Sequence, residues 1–222
     1  MVHMKIIQSI ILFSVFFLPL YGQENHELIK EYTLAINNDP YNWAAYNNRA
    51  TSKKSSGDLM GAVIDYTKAI ELNPNFKDAY YNRGNTKIDL QDNRGAIADF
   101  TKVLSMDSNE EWAYIGRGMA KGKLKDYYGA VSDYSSAILL NDSNSFTYML
   151  RARTKLILED YTGSIPDYSK VIELYPNNEE AYLTRGLLRV ILGQNDSGCK
   201  DLTRAGELGS AEAYKYIRIN CN

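Results

Sequence analysis

Histidine is almost absent from this sequence of 222 residues. The chain has two, His3 and His26, and both lie near the N-terminus, so the long remainder offers no imidazole for general-base catalysis or metal binding. Neither a glycine-rich phosphate loop nor a nucleophile-elbow motif is present. We therefore expect no catalytic residue, no metal site and no cofactor, and hence a protein that is not an enzyme.

An excess of charge of one sign is also lacking, because 25 lysines and arginines stand against 27 aspartates and glutamates. A formal net charge of −2 provides no general attraction for nucleic acid or for an anionic membrane. Proline is scarce as well, and five prolines argue against a proline-rich or disordered chain. With 45% hydrophobic residues, the composition is that of a globular protein without a nucleic-acid partner.

Long hydrophobic runs are missing everywhere except near the N-terminus. Residues 6–18 are apolar apart from three polar side chains, Lys5 precedes them, and Leu20-Tyr21-Gly22 follows as an ending that could be cut before Gln23. This pattern predicts a secretory signal peptide at residues 1–22. A retained membrane anchor is the alternative, although the run is shorter than the roughly 20 residues that span a bilayer. We expect a soluble mature chain, exported to the periplasm or secreted, without stable membrane insertion.

Cysteine is limited to Cys199 and Cys221. Their midpoint falls at Ser210, beside a turn at Leu208-Gly209-Ser210, so antiparallel helices flanking that turn would bring the two thiols to matching heights. An oxidising compartment would then favour a disulfide between them. Two buried free thiols are the alternative, because a sequence offset does not fix the direction of either side chain.

What the sequence does contain is a repeat with a period of 34 positions. Five arginines recur at this period and each is followed by an aspartate at one constant offset, giving the pairs Arg49–Asp65, Arg83–Asp99, Arg117–Asp133, Arg151–Asp167 and Arg185–Asp201. A fixed period of this length is typical of a repeat solenoid. Such a fold presents a long surface of similar units, which suits binding better than catalysis.

Other recurring positions indicate two helices in each repeat. A tyrosine stands three residues before each arginine and a small residue follows it directly, as with Tyr46 and Ala50, so these two share one helical face. A second helix is marked by a small residue followed four later by an aromatic or leucine, as with Ala62 and Tyr66. Polar stretches between the helices contain candidate N-caps at Asp58, Asp92, Asp126 and Asp160. Each repeat therefore predicts a helical hairpin that is stabilised by stacking.

These hairpins resemble tetratricopeptide repeats, through the tyrosine and small-residue columns and through closing prolines at Pro40, Pro74 and Pro176. The resemblance implies an all-α, right-handed superhelical solenoid of helix-turn-helix repeats. It assigns residues 43–209 to five repeats, at 43–76, 77–110, 111–144, 145–178 and 179–209. Residues 23–42 and 210–222 are then single capping helices at the two ends.

One local conflict concerns Pro166, which lies inside the second helix of the fourth repeat. Proline removes a backbone donor and clashes with the preceding turn of a helix. That helix therefore either begins late, near Gly163, or kinks, and the sequence leaves both possibilities open.

The arginine column is accompanied, four residues on, by a second basic column of Lys53, Lys87, Lys121, Lys155 and Arg189. One hypothesis is a basic stripe that binds an anionic polymer. The other is a structural ladder of arginine–aspartate ion pairs, either within each hairpin or between neighbouring hairpins, which the shared period of arginine and aspartate favours. The final lone helix supports the ladder, because Ile217 takes the place of arginine where no second helix follows.

The opposite face of the first helices is the predicted binding site. It begins two residues before each tyrosine, a rotation of about 200°, and the family resemblance implies that this surface lines a concave peptide-binding groove. The candidate groove residues are Tyr81, Asn82, Asn85, Trp112, Ile115, Met119, Phe146, Met149, Leu150, Arg153 and Leu183. Apolar members would anchor the ligand, and Asn82, Asn85 and Arg153 would orient it.

We therefore predict a non-catalytic, exported scaffold that binds a peptide or protein segment in this groove. Two alternatives remain open at the level of sequence. The groove aromatics could stack on sugar rings, which would make the protein a glycan-binding module of the cell envelope. The protein could instead be a structural subunit of an envelope assembly, held through its ends or its convex surface.

Overall fold

The structure is a computed structural model that describes residues 24–221, so the predicted signal peptide at residues 1–22 lies outside the described residues. The described part of the chain is helical, contains no strand, and consists of successive packed helices joined by short turns. The prediction of an all-α fold built from helical hairpins is confirmed.

Twelve helices occur between residues 24 and 221. They are α1 (24–38), α2 (Trp43–Ser55), α3 (Leu59–Leu72), α4 (Lys77–Asp89), α5 (Asn93–Met106), α6 (Glu111–Lys123), α7 (Tyr127–Leu140), α8 (Ser145–Ile157), α9 (Tyr161–Leu174), α10 (Glu179–Ile191), α11 (Asn195–Glu207) and α12 (Ala211–Asn220). The even-numbered helices from α2 to α10 are the first helices of five hairpins. Each packs against the odd-numbered helix that follows it.

The described chain divides into two compact units, the first ending at Met106 and the second beginning at Asp107. In the first unit, α2 packs on α3 and α4 on α5, with α3 joining the two hairpins through α4. In the second unit, three hairpins follow one another from α6 to α11, and α12 packs on α11. Within each unit a second helix therefore contacts both its own first helix and the next one.

Aspartate caps begin four of the five second helices, as predicted. The carboxylate oxygens of Asp58, Asp92, Asp126 and Asp160 each accept a hydrogen bond of 2.9–3.0 Å from the backbone N–H three residues later. The donor is glycine in all four cases, and a Cβ added there would overlap the capping carboxylate. The cap therefore depends on an aspartate and a glycine together.

Pro166 does not delay the start of α9. This helix begins at Tyr161, because Asp160 caps it through the N–H of Gly163, and it continues through Pro166 to Leu174. The alternative of a late start near Gly163 is therefore wrong.

Small residues let the two helices of a hairpin approach closely. Ala50 packs with Ala62 and Tyr66 in one buried cluster of the first unit. In the second unit, a Cβ added at Gly118 would lie 2.7 Å from the ring of Tyr134, so only glycine fits at that distance. The arginine of each first helix directly precedes the small residue, so this close packing also brings the arginine near the aspartate of the second helix. These arginines and aspartates form the ladder described below.

Candidate functional site

The arginine and aspartate columns meet inside each hairpin. In every repeat the guanidinium donates two hydrogen bonds to one carboxylate, with Nε–Oδ2 distances of 2.7–3.0 Å and Nη2–Oδ1 distances of 2.5–2.7 Å. The second basic column binds the same aspartate, at 2.6–2.8 Å from Oδ2. Because the aspartate side chains are only 3–7% exposed, these are buried, bidentate ion pairs.

Four of the arginines also bond to a helix outside their own hairpin, which the sequence analysis did not predict. The Nη1 groups of four arginines donate hydrogen bonds of 2.9–3.2 Å to a hydroxyl on the preceding second helix, in the pairs Arg49–Thr33, Arg83–Thr67, Arg151–Ser135 and Arg185–Ser169. The signal was present, since these hydroxyl residues share the period of the arginines and precede each of them by a constant offset. One arginine therefore holds three consecutive helices together.

The tyrosine column completes the environment of the ladder. Each guanidinium carbon lies 5.5–5.7 Å from the centroid of the tyrosine ring three residues earlier, within range of a cation–π interaction. At Arg49 the hydrogen bond to Asp65 raises the pKa of the guanidinium above its ordinary value. Since both basic columns are engaged with buried aspartates, they do not form a free basic stripe for an anionic polymer.

The opposite face of the first helices differs between the two units. In the second unit, Trp112 on α6 and Phe146 on α8 occupy the same position of successive repeats, and their side chains are 50% and 47% exposed. Met119, Leu150 and Leu183 on this face are half-buried. Glu111 fixes the start of α6 beside that of α8, because its carboxylate accepts hydrogen bonds from Asn141 and from Asn144, the N-cap of α8.

Two predicted anchors are buried and are therefore corrected. Ile115 is 2% exposed and Met149 is 8% exposed, and Met149 belongs to a core cluster with Tyr148, Ala152 and Tyr168. A position three residues after an exposed one is rotated by about 60° from it, which turns these side chains into the packing of the hairpins. Neither residue presents a surface to a ligand.

Arg153 and Glu180 form the polar centre of this face. Arg153 on α8 donates from Nε at 2.9 Å and from Nη2 at 2.6 Å to one carboxylate oxygen of Glu180 on α10, so these two helices lie side by side here. This hydrogen bond raises the pKa of Arg153. Below the pair, burial raises the pKa of Tyr168 to about 12, with the charge of Glu180 adding to the effect.

Sequence reasoning missed Ile157 and Ile191, which are 58% and 63% exposed at the ends of α8 and α10. They follow Phe146 and Glu180 by three helical turns along the same stripe. Extending the stripe by one more turn would have found them. We use the name apolar face for Trp112, Met119, Phe146, Leu150, Ile157, Leu183 and Ile191 of the second unit.

The three remaining predicted groove residues belong to the first unit. Tyr81 is half-buried, with its ring 5.8 Å from that of Phe100 in an edge-on arrangement. Asn82 and Asn85 are half-buried neighbours on α4. The positions equivalent to Trp112 and Phe146 are Ala44 and Asp78, so the first unit has no counterpart of the apolar face.

Cys199 and Cys221 are joined by a disulfide. The bridge links α11 to the residue that directly follows α12, and Cys199 lies close to the end of α12 at Asn220. Across residues 24–221 no helix is both long and apolar enough to cross a membrane. The same part of the chain holds no group of three or more side chains placed to bind a metal ion.

Helical hairpins stacked at one constant period define a class of repeat scaffolds. Family models described as the TPR repeat and the tetratricopeptide repeat match residues 52–87, and residues 77–110 and 147–178, respectively. These stretches of the chain therefore match the tetratricopeptide repeat in sequence. No curated protein sequence matches it.

Several solved structures share the fold. A crystal structure of MamA protein is 25% identical over 75% of this chain and 91% of its own, with a TM-score of 0.71. YrrB, a TPR protein with an unusual peptide-binding site, is 20% identical, with 84% and 97% of the chains covered and a TM-score of 0.72. A tetratricopeptide repeat protein from Parabacteroides merdae is 21% identical, with 90% and 79% covered and a TM-score of 0.60.

Proposed function

We propose that this protein is a non-catalytic scaffold that binds a peptide or protein segment on the apolar face of its second unit. The observation that carries this proposal is the half-exposure of Trp112 and Phe146 at the same position of adjacent repeats. Large aromatic side chains that stay exposed together usually mark an interaction site, because leaving them in water has no structural benefit. The peptide-binding site of YrrB supports the same class of ligand.

The arrangement of the face indicates what the ligand looks like. Trp112 and Phe146 lie near the start of α6 and α8, and Ile157 and Ile191 lie at the ends of α8 and α10. Arg153 stands between the two ends of α8 and pairs with Glu180 near the start of α10. A segment that crosses the helices would place apolar side chains at both ends and polar backbone groups over the ion pair. We expect Arg153 and Glu180 to orient such a segment through hydrogen bonds to its peptide groups.

We also propose that the protein acts outside the cytoplasm. The apolar run at residues 6–18 with its preceding Lys5 supports an export signal, and a disulfide between Cys199 and Cys221 is the kind of bond that persists in an oxidising compartment. Fractionation of cells that express the full chain, with mass spectrometry of its N-terminus, tests this. We expect a mature N-terminus at Gln23 in the exported fraction, and a full-length cytoplasmic product would contradict it.

Binding is tested with peptides selected by the purified protein from a phage-displayed library. The double variant Trp112→Ala with Phe146→Ala should lose capture of these peptides while its far-ultraviolet circular dichroism stays unchanged, since both side chains are half-exposed. Tyr128→Ala with Tyr175→Ala is the matched control, because it removes two exposed aromatics elsewhere in the second unit. Each lost anchor should weaken binding by about 2 kcal/mol.

Three outcomes of this test contradict the proposal. Equal capture by the double variant would show that the apolar face is not the site. Quenching of Trp112 fluorescence by an oligosaccharide, in the absence of any selected peptide, would indicate the glycan-binding alternative. If no peptide is selected and the double variant still assembles with its native partners in cross-linked envelopes, the structural-subunit alternative is favoured.

A further inference from the structure

Within residues 24–221, the helix α1 has the character of a second helix without a first helix beside it. In the five hairpins, the two columns that face the first helix are Ala62–Tyr66, Ala96–Phe100, Ala130–Tyr134, Ser164–Tyr168 and Gly198–Leu202, and every one of these residues is buried. One period before Ala62 and Tyr66 stand Leu28 and Tyr32 of α1, and they are only half-buried. On every other second helix this face is covered by a first helix, whereas on α1 it is partly open.

The charge pattern on this face is also incomplete. Glu31 lies one period before Asp65, in the column whose carboxylate binds an arginine and a lysine or second arginine in each hairpin. Glu31 is exposed, and among residues 24–221 no basic group is paired with it. The other side of α1 is already used, because Thr33 accepts a hydrogen bond from Arg49 and Ile36 is buried. A single acidic group thus remains without the cation that its column binds elsewhere.

The five hairpins show what kind of helix covers such a face. It carries an arginine for the carboxylate, a small residue directly after it for the aromatic ring, and a basic residue four positions on. Leu28 is larger than the Ala62 it replaces, so the partner also needs a small residue five positions after its arginine. The fifth hairpin shows that these two positions face each other, since a Cβ added at Gly198 would lie 2.7 Å from the side chain of Val190, five residues after Arg185.

Two segments of this chain lack that chemistry. In the stretch before α1, the positions one period before Arg49 and Ala50 hold Val15 and Phe16, which offer no cation and no small residue. The lone helix α12 of a second copy has Ile217 where arginine is needed and Arg218 where a small residue is needed. We propose that the outer side of α1 is a docking site for an amphipathic helix of another protein, one that pairs an arginine with Glu31 and packs small residues on Leu28 and Tyr32.

A peptide with the sequence of residues 42–56 carrying K54A is a suitable probe, because it contains Tyr46, Arg49, Ala50 and Lys53 in the natural spacing and a small residue at position 54. Its affinity for the full chain is measured by fluorescence anisotropy. We expect Glu31→Gln to weaken binding roughly tenfold, because a charge-assisted hydrogen bond is lost. A peptide that also carries Arg49→Ala should be weakened to the same extent. Glu71→Gln, an exposed change on α3, is the matched control.

An isolated helix of this length is only marginally stable in water, so a second measurement places it in the same chain. Residues 9–21 are replaced by the sequence of α2 with K54A, which puts an arginine before Glu31 at the same offset that separates Arg49 from Asp65. We expect the urea midpoint of this chimera to rise above that of the full chain. Glu31→Gln should remove most of the rise.

Several results would overturn the proposal. Binding of the two peptides with equal affinity would show apolar adhesion without the arginine, and so would an unchanged affinity in Glu31→Gln. A chimera no more stable than the full chain would show that the face does not accept a first helix. A photo-cross-linker at Tyr32 that reacts with residues 1–23, or with α12 of another copy, would assign the face to this protein itself.

Discussion

Arg83 of the first unit and Arg151 of the second make the same bonds: two to the aspartate of the following helix and one to a hydroxyl of the preceding helix. Five residues before these arginines the two units differ, because Asp78 stands in one and the half-exposed Phe146 in the other. The arginine–aspartate ladder is thus the same in both units, while the face of the first helix that points away from its partner helix varies. We therefore expect functional differences between repeats on that face of the first helices.

A second difference lies in the aromatic column that faces the small residues. The first unit has Tyr66 and Phe100 there, whereas the second has Tyr134 and Tyr168. In this column the second unit therefore has two titratable tyrosine hydroxyls, whereas the first unit has one. The two units should therefore respond alike to damage of the ladder and differently to high pH.

The largest effect should come from neutralising one ladder aspartate in each unit. Asp99→Asn and Asp167→Asn each leave a buried arginine and lysine without their carboxylate, so each should lower the free energy of unfolding by about 3 kcal/mol. Urea denaturation followed by circular dichroism measures this. The exposed Asp89→Asn is the control, with a loss below about 1 kcal/mol because its pair with Lys54 is solvated. Losses below those of the control in either unit would show that the ladder is not a common fastening.

The disulfide should affect only the second unit. Cys199→Ser with Cys221→Ser reopens a loop with a sequence separation of 22 residues, which should cost about 3 kcal/mol. Hydrogen exchange should locate the loss in α11 and α12, while amides of α2 to α5 keep their protection. A reducing agent should have the same effect on the unaltered chain and none on the variant. Faster exchange throughout the first unit would contradict this.

High pH should also destabilise the second unit more than the first. Burial raises the pKa of Tyr134 and of Tyr168 to about 12, so the folded chain keeps protons that the unfolded chain releases near pH 10. The stabilisation is complete below pH 10 and is lost as the pH rises towards 12, by about 1 kcal/mol for each tyrosine at pH 11. Denaturation at pH 9 and pH 11 measures it. The double variant Tyr134→Phe with Tyr168→Phe should show a smaller decrease, and an equal decrease would refute the cause.

The smallest predicted effect concerns the turns between the helices of a hairpin. Gln91 of the first unit and Lys125 of the second have φ values of 63° and 65°, where Gly57 and Gly193 occupy the equivalent positions of other repeats. Because the left-handed conformation is strained for residues with a Cβ, Gln91→Gly and Lys125→Gly should each stabilise the chain by about 0.5–1 kcal/mol. Thermal denaturation tests this, with Gln91→Ala and Lys125→Ala as controls that should bring no gain.

Particular residues show how far the sequence could predict this molecule. The constant period was enough to predict helical hairpins, four capping aspartates and a pairing of arginine with aspartate, although it left open whether each pair lies within one hairpin or between neighbours. The period alone could not predict that Trp112 is exposed and Ile115 is buried. The two positions differ by about 60° on one helix, and the neighbouring helices decide which side chain is covered. The hydroxyl bonded by four of the arginines was equally periodic, but its role depends on contact between successive hairpins.

The hydrogen bond from an arginine to a hydroxyl of the preceding second helix also determines how such a chain can change in length. Removing residues 145–178 would bring Ser135 to the same offset before Arg185 at which Arg185 now meets Ser169. The arginine that loses one hydroxyl would thus be presented with an equivalent one, and duplication of a repeat would reproduce the bond in the same way. Gene duplication or deletion in steps of one whole repeat can therefore alter the number of hairpins without requiring any new bond between them. The area of the exposed face of the first helices changes with that number.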